Sequence, residues 1–574
     1  MIVVDRIRIK GFRSIKTLQM PIGRSSVLLG TNNSGKSTVL KALELALSDE
    51  TTVTEEDFHV DENANLDREL SVDIRFVPIN EQSQRLSLFS EDWRRVFSTM
   101  IRRDRYRREY VAFRTVFRKI DDGSIDKRRY AIVHWDAARL GEELAELPSS
   151  LYFVSIDAEE NLREDLQNEN SFVSVMVRRL GLALELHPDY AQKPIDGLRK
   201  LLDSLCQNLE GPGAQLPENV SLTADNIKEF FSLVKTDAKK VIPYSALQGK
   251  GSQKSIAILS IIILVDLLAK QAAISHKPFF MLIAAEEPEI HLHPNAQRAL
   301  MAQIKALSHQ CVVSTHSPYI ASVSEPHEFR SMLRTGQAIE VRWLPQNMDA
   351  LETRTIKRLI LRFRGETLFA RGLIFVEGVT EEQLIRGMFQ AYFGDDPSTF
   401  GISIVGVDGK SYAPFLMLAL SLHKPFCVIS DNDGDAKHVV LKQLSETERR
   451  LHCLAKDYQS GVYFLSPGLA MEGELVYKTA LKREILDALK LCNTSSNTSA
   501  KAQRLQQERL SSMSPRELKR RLEKRKAEYS SFLGDIIAQN PYNQPIENLL
   551  PKAIFQAFEQ ISIWLNRPPL SHRD

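Results

Sequence analysis

One glycine-rich segment constrains the fold of this chain more than any other feature. The segment, Gly30-Thr-Asn-Asn-Ser-Gly35-Lys36-Ser37, matches the pattern Gly-x-x-x-x-Gly-Lys-Ser/Thr at every position. An apolar stretch that predicts a buried strand precedes it (residues 26–29), and a helical apolar pattern follows it (residues 38–47). In this context backbone N–H groups and a helix N-terminus surround a phosphate, Lys36 reaches the terminal phosphates, and the Ser37 hydroxyl binds Mg²⁺. The sequence therefore predicts a nucleotide site with these ligands: Gly30, Asn33, Gly35, Lys36, Ser37 and Thr38.

Length and composition limit the class of protein. A chain of 574 residues exceeds one ordinary hydrophobic core, so we expect roughly two to four domains. The formal net charge of +2 means that any nucleic-acid surface must be local. The five cysteines have no paired or metal-type spacing, which predicts a reducing compartment and no structural zinc. The N-terminus alternates like a strand and lacks a signal-peptide profile, and the apolar run at 256–269 is too short to span a bilayer. We therefore expect a cytoplasmic protein with no membrane contact.

Three later segments follow in the order expected for the rest of a nucleotide site. Residues 248–253 precede an apolar helical pattern, and the N–H groups at its start are predicted to face a nucleotide held by a partner subunit. The residues concerned are Gly251, Ser252 and Gln253. The apolar strand pattern at 279–285 ends in two carboxylates, of which we assign Glu286 to the metal ion and Glu287 to the attacking water. A further strand pattern ends at His316, which is predicted to reach the γ-phosphate.

A second set of carboxylates follows apolar strand patterns in the last third of the chain. Glu377 ends one strand and Glu381 lies on the next helix, while Asp431 and Asp433 end a later strand. Strand-end carboxylates of neighbouring parallel strands meet at one edge of a sheet. Clustered carboxylates without charged partners repel each other, so a divalent ion is the expected neutraliser. The sequence therefore predicts a metal centre here, to which Met471-Glu472-Gly-Glu474 adds a further carboxylate.

Two runs of basic residues have open interpretations. The first crowds five arginines around Tyr106; they are Arg102, Arg103, Arg105, Arg107 and Arg108. The second is the basic face at residues 519–526. For each run we favour a solvated helix face over a DNA contact.

Taken in order, these motifs resemble the OLD (overcoming lysogenization defect) family of ATP-dependent endonucleases, with its Gabija-type and retron-associated members both similar. The resemblance covers nearly the whole chain. It rests on the succession of the phosphate loop, Glu-Glu-Pro-Glu-Ile-His-Leu-His-Pro, Ser-Thr-His-Ser-Pro and Phe-Val-Glu-Gly-Val-Thr-Glu. It implies an α/β protein: an ABC-type ATPase with a mixed sheet and a helical insertion, then a TOPRIM domain with a parallel sheet and a helical C-terminal region. The implied boundaries are ATPase 1–157, helical insertion 158–240, ATPase 241–345, connector 346–370, TOPRIM core 371–480 and helical region 481–574. The insertion is either a dimerisation arm or a plain structural insert.

The resemblance also implies chemistry. TOPRIM nucleases hydrolyse phosphodiester bonds with two Mg²⁺ or Mn²⁺ ions, here held by the Glu377/Glu381 and Asp431/Asp433 pairs, with Glu472 as a later ligand and Glu474 as its rival. A late lysine that stabilises the transition state matches Lys552. Two departures from the family pattern stand out, because Ala470 replaces a usual serine and Glu286 replaces the usual aspartate.

These features predict a metal-dependent DNA endonuclease or nickase that is controlled by ATP bound between head-to-tail ATPase heads. The resemblance implies anti-phage defence, self-association as a dimer or tetramer, and a partner such as a UvrD-like helicase or a retron complex. An alternative is a nucleotide-sensing scaffold whose TOPRIM domain acts only with such a partner. Primase- or topoisomerase-like chemistry is a third interpretation, although no separate domain with a strand-attacking tyrosine is visible.

Overall fold

The computed structural model describes twelve stretches of the chain, which form two compact units, Met1–Val341 and Arg342–Asp574. The described residues are 1–48, 53–60, 66–156, 272, 277–290, 292–306, 310–336, 338–345, 348–362, 365–493, 508–510 and 512–568. The predicted insertion at 158–240 and the predicted nucleotide ligands Gly251, Ser252 and Gln253 lie outside these residues.

The first unit contains two sheets and four described helices. The strands are β1 (Ile2–Phe12), β2 (Ile15–Pro21), β3 (Ser25–Leu29), β4 (Glu69–Pro78), β5 (Arg102–Arg103), β6 (Glu109–Lys119), β7 (Ile125–His134), β8 (Arg139–Glu143), β9 (Leu151–Ile156), β10 (Phe280–Glu286), β11 (Gln310–Ser314), β12 (Phe329–Thr335) and β13 (Ala338–Arg342). The helices are α1 (Lys36–Leu47), α2 (Glu91–Phe97), α3 (Pro294–Ala306) and α4 (Pro318–Ser322).

The two sheets of this unit differ in strand direction. One has the order β2-β1-β4-β6-β7-β8, with β5 paired to β6, and its β1, β2, β4, β6 and β7 pairings are antiparallel. The other has the order β13-β12-β3-β11-β10-β9, in which the pairings from β12 to β9 are parallel. Helix α1 joins them, because its apolar positions, such as Leu40 and Leu43, belong to one buried cluster with side chains of both sheets. The parallel strands β3, β10 and β11 therefore deliver their carboxyl ends to one edge, next to the start of α1.

The second unit is built on one parallel sheet with the order β15-β14-β16-β17. The strands are β14 (Gly372–Val376), β15 (Ile402–Gly406), β16 (Phe426–Ser430) and β17 (Gly461–Phe464). The helices are α5 (Ala350–Arg362), α6 (Glu366–Phe369), α7 (Val379–Phe393), α8 (Ala413–Ser421), α9 (Ala436–Leu451), α10 (Met471–Lys478), α11 (Lys482–Asn493), α12 (Pro515–Glu523), α13 (Lys526–Gln539), α14 (Ile546–Leu549) and α15 (Lys552–Leu565).

A close helix contact fixes one side of this unit. At the crossing of α7 and α13, a Cβ atom added to Gly387 would lie 2.1 Å from the carbonyl oxygen of Gly534. Only glycine permits this approach of two backbones. The contact holds α7, which carries Glu381, against the C-terminal helices, whose buried side chains belong to the same core as the sheet.

The predicted fold class is confirmed, since an α/β ATPase-type unit precedes a parallel-sheet unit with a helical C-terminal region. One local expectation was wrong. The arginine-rich run around Tyr106 is a tight turn between β5 and β6, because the Asp104 carboxylate accepts hydrogen bonds from the backbone N–H groups of Tyr106 and Arg108 (2.9 and 3.0 Å). Among the described residues, no helix combines the length and apolar character that a membrane crossing requires.

Candidate functional site

The phosphate loop of the first unit connects the end of β3 to the start of α1. Gly35 precedes the helix with φ +91°, in the left-handed region that favours glycine. A Cβ atom at Gly30 would lie 2.5 Å from the Ser34 hydroxyl oxygen and 2.6 Å from the carbonyl oxygen of Met332. The loop therefore needs glycine at both positions to fold back over the helix N-terminus, as the sequence pattern indicated.

Lys36 points into this loop and is almost completely buried. Its Nζ donates to the carbonyl oxygens of Gly30 and Thr31 (3.1 Å each) and lies 2.8 Å from Nε2 of His316. Burial lowers the pKa of Lys36, and burial, followed by the charge of Lys36, lowers the pKa of His316. A neutral imidazole can accept a hydrogen bond from the lysine, so the two side chains form one polar pair at the loop.

The strand-end carboxylates meet the same edge. The Ser37 hydroxyl donates to Oε1 of Glu286, at the end of β10. Glu287 has φ +41° and donates its backbone N–H to the carbonyl oxygen of Ser314 (3.0 Å), and its Oε1 lies 3.4 Å from Nε2 of His316. The structure thus brings the predicted residues Lys36, Ser37, Glu286, Glu287 and His316 together.

A cavity of about 450 Å³ opens over the loop. Its lining includes Asn33, Gly35, Lys36, Ser37, Thr38, Glu287 and His316, all predicted from the sequence, and also Ser14 and Arg334, which were not. Backbone N–H groups at a helix start together with a lysine suit an anionic ligand. The oxygens of Ser37 and Glu286 are of the hard type that Mg²⁺ prefers, so the donor set fits a nucleotide with its magnesium ion.

Sequence reasoning gave no role to Glu289, which holds this edge together. It is 9% exposed, and its Oε1 accepts hydrogen bonds from Thr315 Oγ1 (2.7 Å) and from the backbone N–H groups of His316 (2.7 Å) and Ser317 (3.1 Å). Desolvation raises its pKa. The three glutamates of Glu286-Glu287-Pro-Glu289 were a visible signal in the sequence. Nothing in the local sequence indicated which of their carboxylates turns inward.

In the second unit the predicted metal residues converge at the carboxyl edge of the parallel sheet. Glu377 follows β14, Glu381 lies in the first turn of α7, and Asp431 follows β16. The Ser430 hydroxyl donates to Glu377 Oε1 (3.4 Å), and the Asp431 Oδ1 accepts a hydrogen bond from the backbone N–H of Met471 (3.1 Å). These bonds tie the ends of β14 and β16 to the start of α10.

The carboxylates affect each other electrostatically. Burial raises the pKa of Glu377, with Glu381 and Asp433 adding to the effect. The pKa of Asp431 is raised to about 8. Burial is the largest cause, and repulsion by the carboxylates of Glu377, Glu381, Asp433 and Glu472 adds to it. Burial, with Glu472, also raises the pKa of Glu381. Such upward shifts mean that the site lacks enough positive charge for its acids.

Glu472 and Glu474 lie on α10 and have different surroundings. Glu474 accepts hydrogen bonds from the Ser466 backbone N–H and hydroxyl (3.0 Å each), so it anchors the preceding loop. Glu472 is 1% exposed, and its Oε1 lies 3.1 Å from Lys526 Nζ and accepts a hydrogen bond from the Tyr529 hydroxyl (3.4 Å). The contacts therefore favour Glu472 as the member of the carboxylate group.

The lysine nearest this group differs from the sequence assignment. Lys526 lies at the start of α13. Desolvation alone would lower its pKa, but the negative charges of Glu472, Glu381 and Asp431 outweigh this effect, so the pKa of Lys526 is raised. Lys552 is exposed at the first residue of α15 and makes no ion pair with these acids within the described parts of the chain. Lys526 belongs to the run 519–526, which the sequence suggested as a solvated helix face.

A divalent ion needs several oxygen ligands around one point. In the stretches that the structure covers, no three carboxylate or histidine side chains are placed closely enough to hold one ion. The chemistry nevertheless fits, since buried, mutually repelling carboxylate oxygens are the ligands of Mg²⁺ and Mn²⁺. Asp433 is about half exposed and lies 3.7 Å from Lys410, and its charge adds to the raised pKa values of Glu377 and Asp431.

Models of two known protein families match segments of the chain, one in each unit. The profile described as "AAA domain, putative AbiEii toxin, Type IV TA system" matches residues 25–322, about half of the chain. The profile described as "Overcoming lysogenization defect protein-like, TOPRIM domain" matches residues 368–433.

The chain is also similar to several individual proteins. The chain is 22% identical to "OLD nuclease" of Thermus scotoductus over 75% of this chain and 82% of that protein. It is 25% identical to "Endonuclease GajA" of Bacillus cereus over 32% of this chain and 31% of that protein. Among solved structures, the C-terminal region of the Burkholderia pseudomallei OLD protein is similar, with 23% identity, a TM-score of 0.25, and coverage of 34% of this chain and 99% of that one.

Proposed function

Since the chain belongs to the OLD family, in which an AAA-type ATPase domain precedes an OLD-like TOPRIM domain, we propose that it is a metal-dependent DNA endonuclease or nickase regulated by ATP. Relatives named as nucleases support the nuclease activity. The finer parts of the proposal, which are the two-metal mechanism, the ions Mg²⁺ or Mn²⁺ and the residue roles, rest on the chemistry of the two sites.

One observation carries the proposal. Three strand- and helix-borne carboxylates, Glu377, Glu381 and Asp431, share one sheet edge, and each has a raised pKa because burial and its neighbours disfavour its charge. Burying like charges together destabilises a fold unless a cation joins them. A structural role would be served better by neutral side chains, so the arrangement supports a metal site that acts on an anionic substrate.

The residues have separable roles in the proposed reaction. A bound divalent ion would supply Lewis-acid activation of a phosphodiester group and of a water molecule. Glu377, Glu381, Asp431 and Glu472 would hold ions, with Asp433 completing the set from the solvent side. Lys526 carries a positive charge at the same edge and would stabilise negative charge on the phosphate, the role that the sequence assigned to Lys552.

The first unit would provide the nucleotide control. Lys36 and the loop N–H groups would bind the phosphates of ATP, Ser37 and Glu286 would hold its Mg²⁺, Glu287 would orient a water molecule, and His316 would sense the γ-phosphate. Completion of this site by Gly251, Ser252 and Gln253 of a second copy remains part of the proposal, as do the dimer or tetramer, a helicase or retron partner, and a role in anti-phage defence.

The scaffold alternative has one observation in its favour. Among the described residues, no three acidic side chains lie close enough together to hold one metal ion. A subunit that only senses nucleotide would need no such group.

DNA cleavage by the full chain tests the proposal. Supercoiled and linear DNA are incubated with Mg²⁺ or Mn²⁺, with and without ATP, and wild type is compared with Glu377→Gln and Lys36→Ala. We expect Glu377→Gln to lower the cleavage rate by at least about a hundredfold, while Lys36→Ala changes only the response to ATP. Asp435→Asn is the matched control, because Asp435 follows the same strand as Asp431 but is 74% exposed and pairs with Lys410.

The outcomes separate the two functions. Cleavage that survives Glu377→Gln contradicts the metal-site assignment. If wild type leaves all DNA intact under every condition, the scaffold alternative is favoured instead.

A further inference from the structure

The turn between β5 and β6 concentrates positive charge on a nearly neutral protein. Residues 102–108 contain five arginines and one aspartate, whereas the whole chain has a net charge of +2. At the tip, Arg105, Tyr106 and Arg107 are exposed, Tyr106 at 62%. We refer to Arg105, Tyr106, Arg107 and Arg108 as the arginine turn.

The arginine turn has a fixed backbone. Asp104 Oδ1 accepts hydrogen bonds from the N–H groups of Tyr106 and Arg108, the Arg107 N–H donates to the carbonyl oxygen of Asp104 (2.8 Å), and Arg107 has φ +60°. At the base, Arg103 lies 3.5 Å from the buried carboxylate of Glu109. The tip is therefore presented in one conformation, so a ligand would not have to order it.

The charges at the tip are organised but not all free, because the Arg108 guanidinium pairs with the Asp104 carboxylate (3.1 Å). The guanidinium carbons of Arg105 and Arg108 lie 4.8 and 4.9 Å from the ring centroid of Tyr106. An aromatic ring in this position holds a guanidinium by a cation–π contact and leaves its N–H edge free for an anion. Among the described residues, Arg105 and Arg107 form no ion pair, whereas some exposed arginines of the same sheet do, such as Arg118 with Glu69 at 2.7 Å.

We propose that the arginine turn is a binding site for the phosphate backbone of DNA, separate from the carboxylate group that cuts it. Arg105 and Arg107 contact phosphates, Tyr106 holds the Arg105 guanidinium by a cation–π contact, and Arg108 stays paired with Asp104. Contacts to phosphate position DNA without reading its sequence. The choice of DNA rests on the proposed function.

DNA binding by the full chain tests this site independently of cleavage. Affinity for a fluorescent 30-base-pair duplex is measured between 50 and 200 mM KCl without divalent ions, so that no cutting occurs. Wild type is compared with Arg105→Ala/Arg107→Ala, with Arg105→Lys/Arg107→Lys, and with Arg118→Ala/Arg128→Ala. The last variant is the matched control, since it removes the same charge from exposed arginines that already pair with acids.

Two lost phosphate contacts predict a definite change. The slope of log affinity against log salt falls by about 2 in Arg105→Ala/Arg107→Ala, and the affinity at 50 mM KCl falls about tenfold. The lysine variant retains most of the affinity, and the control stays within about twofold of wild type. Tyr106→Leu, which removes no charge, weakens binding less than the double alanine change.

Each other result overturns the inference or separates it from the proposed function. Equal affinity and slope for Arg105→Ala/Arg107→Ala and the control contradict the site. A loss confined to an RNA duplex of the same length assigns the turn to RNA instead of DNA. If wild type binds DNA through the arginine turn but never cuts it, the proposed nuclease function fails and the binding site stands. If wild type cuts DNA and the arginine turn is dispensable for binding, the nuclease function stands and the binding site fails.

Discussion

The contact between α7 and α13 gives a prediction whose sign can be calculated from the structure. Gly387 and Gly534 meet so closely that a Cβ atom on Gly387 would lie 2.1 Å from the Gly534 oxygen, 2.5 Å from its carbonyl carbon and 2.6 Å from its Cα. These are backbone atoms, so no side chain can turn away. The helices must separate by at least about 1 Å to reach ordinary contact distances.

Two opposing terms decide the effect of Gly387→Ala. Alanine favours a helix interior over glycine by about 1 kcal/mol. Overpacking of a rigid contact costs about 1–3 kcal/mol, and here the upper end applies because backbone must move. We therefore expect Gly387→Ala to destabilise the second unit by about 2 kcal/mol, whereas the same change at an uncrowded helical glycine would stabilise it.

Gly473 supplies a comparison in which the close atoms belong to side chains instead of backbone. Its added Cβ would meet the ends of Leu469 and Lys519 side chains at 3.1 and 3.5 Å, which can move. The assay is hydrogen exchange of the α7 and α13 amides, supported by thermal unfolding, since a chain of two units need not unfold in one step. Exchange should accelerate in Gly387→Ala and stay constant or slow down in Gly473→Ala. Equal or greater protection in Gly387→Ala would refute the close contact.

Three further predictions concern single side chains. Glu289→Ala removes the acceptor of three hydrogen bonds, so it should lower the free energy of unfolding by about 1–3 kcal/mol and slow ATP hydrolysis more than ATP binding. Glu289→Gln keeps an acceptor oxygen and is the control. A wild-type rate of ATP hydrolysis in the alanine variant would contradict this prediction. Lys526→Met should lower DNA cleavage by at least about a hundredfold while Lys552→Met leaves it unchanged, and the opposite ranking in a cleavage assay restores the sequence assignment. Burial lowers the pKa of Lys424 to about 8 from 10.5, so its charge costs about 3 kcal/mol below pH 8, and stability should rise as the pH increases from 8 towards 10.5. Urea unfolding should show this rise to be absent in Lys424→Met, and an identical pH profile in the variant rejects the assignment.

The sequence by itself determined the fold class and the elements that carry both sites. The phosphate loop, the acidic end of β10 and the strand–Glu-Gly-x-x-Glu pattern at 377–381 are local signals, because each depends on residues that are neighbours in the chain. The parallel direction of strands then requires their carboxyl ends to share an edge. For this reason the meeting of Lys36 with Glu286, and of Glu377 with Asp431, follows from the order of the motifs.

Only the tertiary structure decided which of several similar side chains turns towards a site. Glu472 and Glu474 are two residues apart on one helix, yet Glu474 caps a loop through Ser466 and Glu472 meets Lys526, more than fifty residues along the chain. The resemblance pointed to Lys552, and the sequence alone suggested a solvated face for the run that contains Lys526, although both lysines begin helices in the structure. The position of Lys526 beside the acids depends on how α13 packs against α7 at Gly387 and Gly534, and a contact between distant segments leaves no local pattern. Which side chain faces a site therefore depends on packing and burial, and these are properties of the whole folded chain.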